Sequence, residues 1–350
     1  MGKLSAFRIF VMTFNVEAVR FCETSGLTRN MFNIGKLSCN DPFFIEFLID
    51  RIKNAQANYD IVCFAFQESP SPGDKLVSDM MPGKMSPEFR EISLVEAMGV
   101  GVASVKKFTL RGLRLSIYQN NESAFNISNT SLDTIFCDGK DEYTHGKGGV
   151  TVILDVDKIG KIAIIDVHLP FNSATLKGIG SREKALVKQN SCLVKTYNNF
   201  AVKNDVDYVF YVGDLNYRCD IKNAKKAYET LKKEGFTAYL KFDELGEEMR
   251  KGSIPVLLEG IDNKGPLFAP TCKMRKGRGD KNCYDNIPDE GCYKLGIFNQ
   301  RAPSWCDRIL YRTFEGKDKK IKCFIYDRWD SKNGISLSDH AAVIGGFSIE

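Results

Sequence analysis

At 350 residues, with 43% hydrophobic and 27% charged content, the chain reads as a soluble globular protein of one large domain or two average ones, which excludes disordered and membrane-spanning classes. The formal net charge of +5 is mild and favours anionic partners without separating nucleic acid from phosphorylated small molecules or acidic lipid.

In chain order, the first segment lacks the charged, apolar and small-residue zones of a secretory leader, because Arg8 interrupts the only apolar run and Thr13-Phe14-Asn15 follows. Met1-Gly2-Lys3-Leu4-Ser5-Ala6 misses the acylation pattern, its Ser falling one position early. The expected address is cytoplasmic. Strand-like runs follow at Arg8–Phe14, Ile61–Phe66, Gly99–Val105 and Gly112–Gln119, with helical patterns at Phe43–Ala57 and Pro87–Ala97. Strands at Gly149–Val156 and Lys161–Leu169 lead to a helix at Ser181–Val202, a strand at Asp207–Val212, and helices at Lys222–Lys233 and Thr237–Lys251. Strands at Asp307–Thr313, Ile321–Asp327 and Ala341–Ser348 close the chain.

Strands outnumber helices, and the consecutive strands at 99–119 and 149–169 indicate hairpins, so the expected class is α+β: two packed mixed sheets flanked by helices. No repeat or linker divides the chain, which makes residues 1–350 a single domain. The long loops at Ser69–Ser86, Asn120–His145 and Gly260–Arg301 are candidate substrate-facing walls. Eleven Cys residues, scattered from Cys22 to Cys323 without a two-residue pair, read as reduced thiols.

Polar residues gather at the strand ends. Gly213-Asp214-Leu215-Asn216-Tyr217-Arg218 closes the apolar run Tyr208–Val212, and alternation aims Asp214 and Asn216 the same way. A carboxylate beside an amide suits holding a water or a phosphate, and it also suits a turn. Asn15 and Glu68 end the first two strands, and His168 lies near the end of the strand from Lys161. Asp307 opens a strand, and Asp339 and His340 precede the last one. Each alone is an ordinary loop end; together they point to one site. Oxygen ligands such as Glu68, Asn15 and Asp339, with no Cys or His cluster at metal spacing, suit Mg²⁺ rather than zinc. Two of the three His residues, His168 and His340, lie at these ends, and Asp307 is the candidate carboxylate to keep an imidazole protonated and oriented.

The blocks GDLNYR at Gly213–Arg218, PSWCDRIL at Pro303–Leu310 and SDH at Ser338–His340 resemble the signatures of the inositol polyphosphate 5-phosphatases, within the wider endonuclease, exonuclease and phosphatase superfamily. TFNV at Thr13–Val16, FQE at Phe66–Glu68, KGGV at Lys147–Val150, HLPF at His168–Phe171 and APTCK at Ala269–Lys273 extend the resemblance from Arg8 to the C-terminus. It implies a four-layer αββα sandwich with the site at one end of both sheets. It implies that Glu68 and Asn15 help hold Mg²⁺ near the scissile phosphate, with Asp339 at the same end. Asp214 would orient and deprotonate the attacking water, and Asn216 would position the water or a phosphoryl oxygen. His340, paired with Asp307, would stabilise charge on the phosphoryl group, with His168 assisting. The implied reaction is Mg-dependent hydrolysis of the 5-phosphate of an inositol polyphosphate or phosphoinositide, without a covalent intermediate.

Lys147, Lys273, Arg182 and Arg308 are the candidate cations for the remaining phosphates. The chain departs from the family pattern at Phe14, Ala18 and Gly146, where Trp, Gly and Asn are usual, and at Cys272, where an aromatic is expected. Met274–Pro303 is longer and more basic than the typical connection. Leu76, Val77, Met80 and Met81 are expected to fold back onto the core, with peripheral contact at an acidic membrane surface as the alternative, so lipid and soluble substrates stay open.

Three other readings compete. Cys272 and Arg278 have the spacing of a cysteine-dependent phosphatase, but Pro270 precedes and Gly279-Asp280-Lys281-Asn282 follows, where the phosphate cradle needs a strand and a helix. Another phosphodiesterase or nuclease of the superfamily would share the catalytic residues but need a long basic groove, and no nucleic-acid partner is expected. An inactive phosphoinositide-binding module would have lost at least one of Glu68, Asp214 or His340, and all three are present.

Overall fold

Alternating side chains write the elements. Phe7, Ile9 and Val11 enter one apolar cluster, while Phe10, Met12 and Phe14 enter another, as expected of a strand buried on both faces. The computed structural model describes residues 6–15, 59–69, 89–99, 111–137, 147–171, 181–221, 224–274, 293, 302–329 and 338–350. Its strands are β1 (Phe7–Asn15), β2 (Ile61–Ser69), β3 (Phe89–Gly99), β4 (Arg111–Asn120), β5 (Ile127–Phe136) and β6 (Gly148–Val156). They continue as β7 (Gly160–His168), β8 (Tyr208–Asp214), β9 (Leu258–Glu259), β10 (Asp307–Thr313), β11 (Ile321–Trp329) and β12 (Ala342–Ile349).

Two six-stranded sheets result, ordered β11-β12-β1-β2-β4-β3 and β5-β6-β7-β8-β10-β9. The pairs β1–β2 and β7–β8 are parallel and their other neighbours antiparallel, so both sheets are mixed. Between them lies the main core, in which Ile9, Val11, Ile61 and Cys63 cluster with Val152, Ile164, Phe210 and Val212, all fully buried. On the outer face of the second sheet, α1 (Ser181–Tyr197) and the π turn that follows it bring Leu193, Tyr197 and Phe200 into a cluster with Val167, Val209 and Tyr211. Helix α2 (Ala224–Tyr239) is interrupted at Gly235, where φ is 78°, and α3 (Glu244–Arg250) starts at Asp243, whose carboxylate accepts from Gly246 N at 3.1 Å. Among the described residues no helix is long and apolar enough to cross a membrane.

Several local expectations change. Pro87–Ala97 is not a helix: its described part belongs to β3, which pairs with β4 from Phe89↔Asn120 to Gly99↔Arg111, and the ladder overrides the local apolar spacing. The loop expected at 120–145 contains β5, paired along β6. The single helix expected at Thr237–Lys251 is split by a 3₁₀ turn at Leu240–Phe242. The helix expected at Phe43–Ala57, and the strand at Gly99–Val105 beyond Gly99, lie outside the described residues. Not all thiols are reduced: the exit of β5 and helix α1 bring Cys137 and Cys192 to a Cα–Cα distance of 5.2 Å, joined by a disulfide.

Candidate active site

Strand direction assembles the site. The parallel strands β1 and β2 end at Asn15 and beside Glu68, and the parallel strands β7 and β8 end at His168 and Asp214. Strands β6, β10 and β12, antiparallel to these, begin beside Lys147, Asp307 and His340. One end of the sandwich therefore receives all seven. The inward alternation of β8, through Tyr208, Phe210 and Val212, continues into Asp214, and that of β10 runs back from Tyr311 and Ile309 to Asp307. The site is the polar mouth of the seam whose interior is the core.

Two non-glycine residues here adopt left-handed backbone, Glu68 at φ 52° and Asn216 at φ 56°. Asn tolerates this conformation; at Glu68 it coincides with a shift in the β2–β4 register, which takes the side chain out of simple alternation and brings its Oε1 within 4.0 Å of His168 Nε2. Gly213, at φ 134°, lies so close to β7 that a Cβ would fall 2.0 Å from the Val167 carbonyl oxygen.

Hydrogen bonds then fix the side chains. Asn15 Nδ2 donates to Asp214 Oδ2 at 2.9 Å, and Asn216 N donates to Asp214 Oδ1 at 3.0 Å. Asn216 Nδ2 donates to the Leu169 carbonyl at 3.0 Å, while its Oδ1 accepts from Arg218 Nη2 at 2.8 Å. His340 Nδ1 lies 2.9 Å from Asp307 Oδ2, which also accepts from Thr271 Oγ1 at 2.6 Å. Ser338 Oγ donates to the Asn15 carbonyl at 2.6 Å and ties the last block to the first strand. Beneath the mouth, buried Gln67 Nε2 donates to Asp166 Oδ1 at 2.6 Å and to Thr13 Oγ1 at 3.0 Å, joining the two sheets.

The two imidazoles carry opposite electrostatics. For His340, burial disfavours the charged ring, but Asp307, with Cys272 and Asp214, outweighs it and raises the pKa well above the ordinary histidine value. For His168, burial and then the neighbouring Lys147 ammonium lower the pKa, against the pull of Asp214 and Glu68. Burial also opposes ionisation of Asp214, yet His340, His168 and Lys147 hold its carboxyl well below the usual range. Asp307, buried and close to other anions, is raised to about 6 despite His340. These directions favour the charged forms of Asp214 and His340 and the neutral form of His168.

The four expected phosphate-binding cations divide. Lys147 Nζ contacts His168 Nε2, and Lys273 forms an ion pair with Asp339, whose Oδ1 lies 3.6 Å from His340 Nε2; both lysines border the mouth. Arg182 is bound to Glu244 through Nε at 2.6 Å and lies over the Phe171 ring at 5.7 Å. Arg308 is held away from the mouth. Its guanidinium is buried on the other face of β10, with Nε 2.6 Å from Glu259 Oε1 and Nη1 3.0 Å from Asp243 Oδ1. Alternation explains this, since Asp307 faces the core seam and its neighbour must face away. Arg218 was not singled out in the sequence, although it ends the GDLNYR block; it stacks on Phe171 at 4.2 Å and holds Asn216.

The described residues at Cys272 do not have the form of the cradle a cysteine mechanism requires. That residue pairs antiparallel with Ser304 and His340, and Met274 pairs with Tyr293, so the chain is extended past the sulfur; Arg278 lies outside the described residues.

The pattern of Endonuclease/Exonuclease/phosphatase family 2 matches residues 12–346. The chain belongs to this family. Its relatives within the family are inositol polyphosphate 5-phosphatases. The type II inositol 1,4,5-trisphosphate 5-phosphatase of Mus musculus is 26% identical over 325 residues, 91% of this chain and 29% of that protein. Phosphatidylinositol 3,4,5-trisphosphate 5-phosphatase 1 of Xenopus laevis is 24% identical over 273 residues, 73% of this chain and 24% of that protein. The type I inositol polyphosphate 5-phosphatase 1 of Arabidopsis thaliana is 32% identical over 142 residues, 41% of this chain and 20% of that protein. The chain thus spans only 20% to 29% of the length of these relatives.

Among solved structures, the 5-phosphatase domain of a synaptojanin, crystallised with inositol (1,4)-bisphosphate and a calcium ion, matches with a TM-score of 0.61 at 17% identity, covering 98% of this chain and 84% of that one. A point mutant of a Cimex nitrophorin, as its ferrous NO complex, matches with a TM-score of 0.62 at 16% identity, covering 98% of each chain. Both likenesses concern the fold alone. That one is a nitrophorin makes the side chains at the mouth, rather than the sandwich, the guide to chemistry.

Proposed function

We propose that this family member is a phosphoric monoester hydrolase that removes the 5-phosphate of an inositol polyphosphate or phosphoinositide by direct attack of water. The observation that carries the reading is the meeting, at one mouth, of Asp214, held by Asn15 Nδ2 and Asn216 N, with His340, held by Asp307. The names of the relatives supply the substrate class.

The donor set suits a hard divalent cation. Glu68, Asn15 and Asp339 offer only oxygen, and Asn15 spends its amide nitrogen on Asp214, so its carbonyl oxygen is what it offers a metal. Ligand atoms of Asp214, Asp307 and His340 also lie within 4.8 Å of one another; Asp307 engages His340 Nδ1, and we assign this trio to the water and the phosphoryl group. Mg²⁺ bound by Glu68, Asn15 and Asp339 would supply Lewis-acid stabilisation of the phosphoryl charge.

The chain's own groups do the rest. Asp214 accepts a hydrogen bond from the attacking water and takes its proton as the oxygen–phosphorus bond forms. Its low proton affinity favours orienting the water over early deprotonation. His340 donates from Nε2 to a phosphoryl oxygen, with Asp307 fixing the ring through Nδ1. Asn216, held by Arg218 and Leu169, shapes the water's side of the mouth, while Lys147 and Lys273 neutralise phosphate charge. The bond from phosphorus to the inositol oxygen breaks in line, and the departing oxygen takes a proton from solvent.

A phosphate-release assay over soluble and lipid inositol phosphates, with Mg²⁺ or with EDTA, tests this. Release that survives EDTA sinks the metal-dependent mechanism. Asp214→Ala is expected to abolish release while substrate still binds, and retained turnover removes Asp214 from its role. A cytoplasmic enzyme that meets acidic membranes peripherally is part of the same proposal. Leu76, Val77, Met80 and Met81 lie outside the described residues, and comparing release from vesicles with release from the soluble headgroup decides the point.

A further inference from the structure

Side-chain bonds tie the parallel strands of one sheet to those of the other at two depths. Asn15 and Asp214 join β1 to β8 at the mouth, and beneath them Gln67 joins β2 to β7 through Asp166. Thr13, Gln67 and Asp166, the polar residues of the deeper layer, are all fully buried. Gln67 Nε2 donates to Asp166 Oδ1 at 2.6 Å and to Thr13 Oγ1 at 3.0 Å, and its Oε1 accepts from that hydroxyl at 3.3 Å. One inward step further down the same strands stand Val11, Ala65 and Ile164, all in the apolar core. A buried polar layer stabilises a fold no better than a packed apolar one, so what this layer adds is a fixed geometry.

That geometry bears on Glu68. The β1–β2 ladder ends at Asn15↔Gln67, and the β2–β4 register shifts between Phe66 and Ser69. Glu68 falls between these paired positions, with left-handed backbone at φ 52°, a conformation that persists in a residue with a Cβ only where its surroundings hold it. Gln67 is the residue immediately before it. Asp166 offers a firm anchor, being paired on one side with Val150 and on the other with Val212. The strand that carries Asp166 delivers His168 two residues on, with Nε2 4.0 Å from Glu68 Oε1.

We propose that Gln67 and Asp166 are a positioning pair for the divalent cation: their bond pins the end of β2 to β7, holds Glu68 in its turn, and so sets how tightly the mouth binds the ion. This deepens the reading of Glu68 as a metal ligand and rests on it. Gln67 uses both polar atoms of its amide within the layer, so it acts through Glu68 and not as a ligand itself. The carboxyl acceptor also fixes which way that amide is turned, because its nitrogen must face Asp166.

Binding of Mn²⁺ alone to the whole protein, followed by electron paramagnetic resonance, tests this without turnover. Glu68→Ala should weaken binding, as loss of a ligand requires. Gln67→Met and Asp166→Leu should each weaken it by about tenfold or more, as loss of an orienting partner does. The double variant Gln67→Met/Asp166→Leu should bind no worse than either single one, because the same bond is lost. Asp166→Asn should stay within about twofold of wild type, since its amide oxygen still accepts from Gln67. If a single variant fails to fold, the double one decides, because it leaves neither partner of the bond buried and unpaired. Folded variants of the pair that bind within about twofold of wild type, while Glu68→Ala does not, overturn the role of the pair alone. An Asp166→Asn variant as weak as Asp166→Leu overturns it too. Wild-type protein that binds no Mn²⁺, or a Glu68→Ala variant that binds it unchanged, overturns the ligand reading and the role of the pair with it.

Discussion

Asn15 and Asp214, 199 residues apart in sequence, are the last residues of strands in opposite sheets, and their side chains meet at 2.9 Å. This contact closes the seam and holds Asp214, to which we assign the attacking water, beside the residues proposed to hold the metal. Asn15→Ala should lower kcat by about 10²-fold or more through misplacement, with a stability loss of about 1–2 kcal/mol. Asn15→Asp should be worse, because it sets a second carboxylate against Asp214. Phosphate release and urea unfolding of both variants check this; an Asp variant as active as wild type contradicts it.

The Asp307–His340 pair should set an acid limit on the proposed activity. Asp307 is raised to about 6, so it is ionised above that pH and accepts from His340 Nδ1. As pH falls through about 6 it takes up a proton, loses the charge that holds the His340 ring, and should orient it less firmly. The profile of kcat/KM against pH should therefore fall on its acid side near that value. Asp307→Asn should lower activity throughout and remove that limb. A limb that persists in Asp307→Asn assigns it to another group.

Asp166 should make the fold more stable in acid than in base. Burial raises its pKa well above 3.8, against the bonds from Gln67 and the Arg114 backbone. A raised carboxyl pKa gives stability that is fully present below the unfolded value and is lost as pH rises toward the folded one. Asp166→Asn keeps the shape and removes the titration. Denaturant melts at about pH 8 should show the variant more stable by about 1–3 kcal/mol, with the gap narrowing toward acid. A gap that widens toward acid shows the opposite sign.

Arg308 should matter for folding and not for substrate. Arg308→Met leaves Asp243 and Glu259 buried without their cation, a loss of about 3–5 kcal/mol. Thermal melts should show the drop, while KM of the folded fraction stays within about twofold because the side chain is screened from the mouth by β10. A raised KM with an unchanged melt restores Arg308 to the substrate.

The seam was legible because burial and alternation leave marks in sequence. The runs that became β1, β2, β6, β7 and β8 are largely apolar on both faces, and their polar terminal residues stood out against them. What stayed hidden depended on partners far away. β3 carries Glu and Ser among its apolar residues and becomes a strand through its pairing with β4. β5 is rich in Ser, Thr, Asn and Asp, the composition of a loop, and gains its form at the sheet edge beside β6. Arg308 resembled a phosphate ligand because adjacency to Asp307 suggests a shared site, whereas strand geometry sends neighbours to opposite faces. The Cys137–Cys192 bridge needed knowledge of where α1 packs.

Gly213 has a consequence for how such a protein can change over generations. With no room for a methyl group between it and the Val167 carbonyl, the spacing of β7 and β8 is locked, and with it the separation of His168 from Asp214. Drift at this position is closed to every other amino acid without prying the strands apart. New substrate preferences must therefore arise around the rim, from segments that border the mouth, while the reacting groups stay where the strands deliver them.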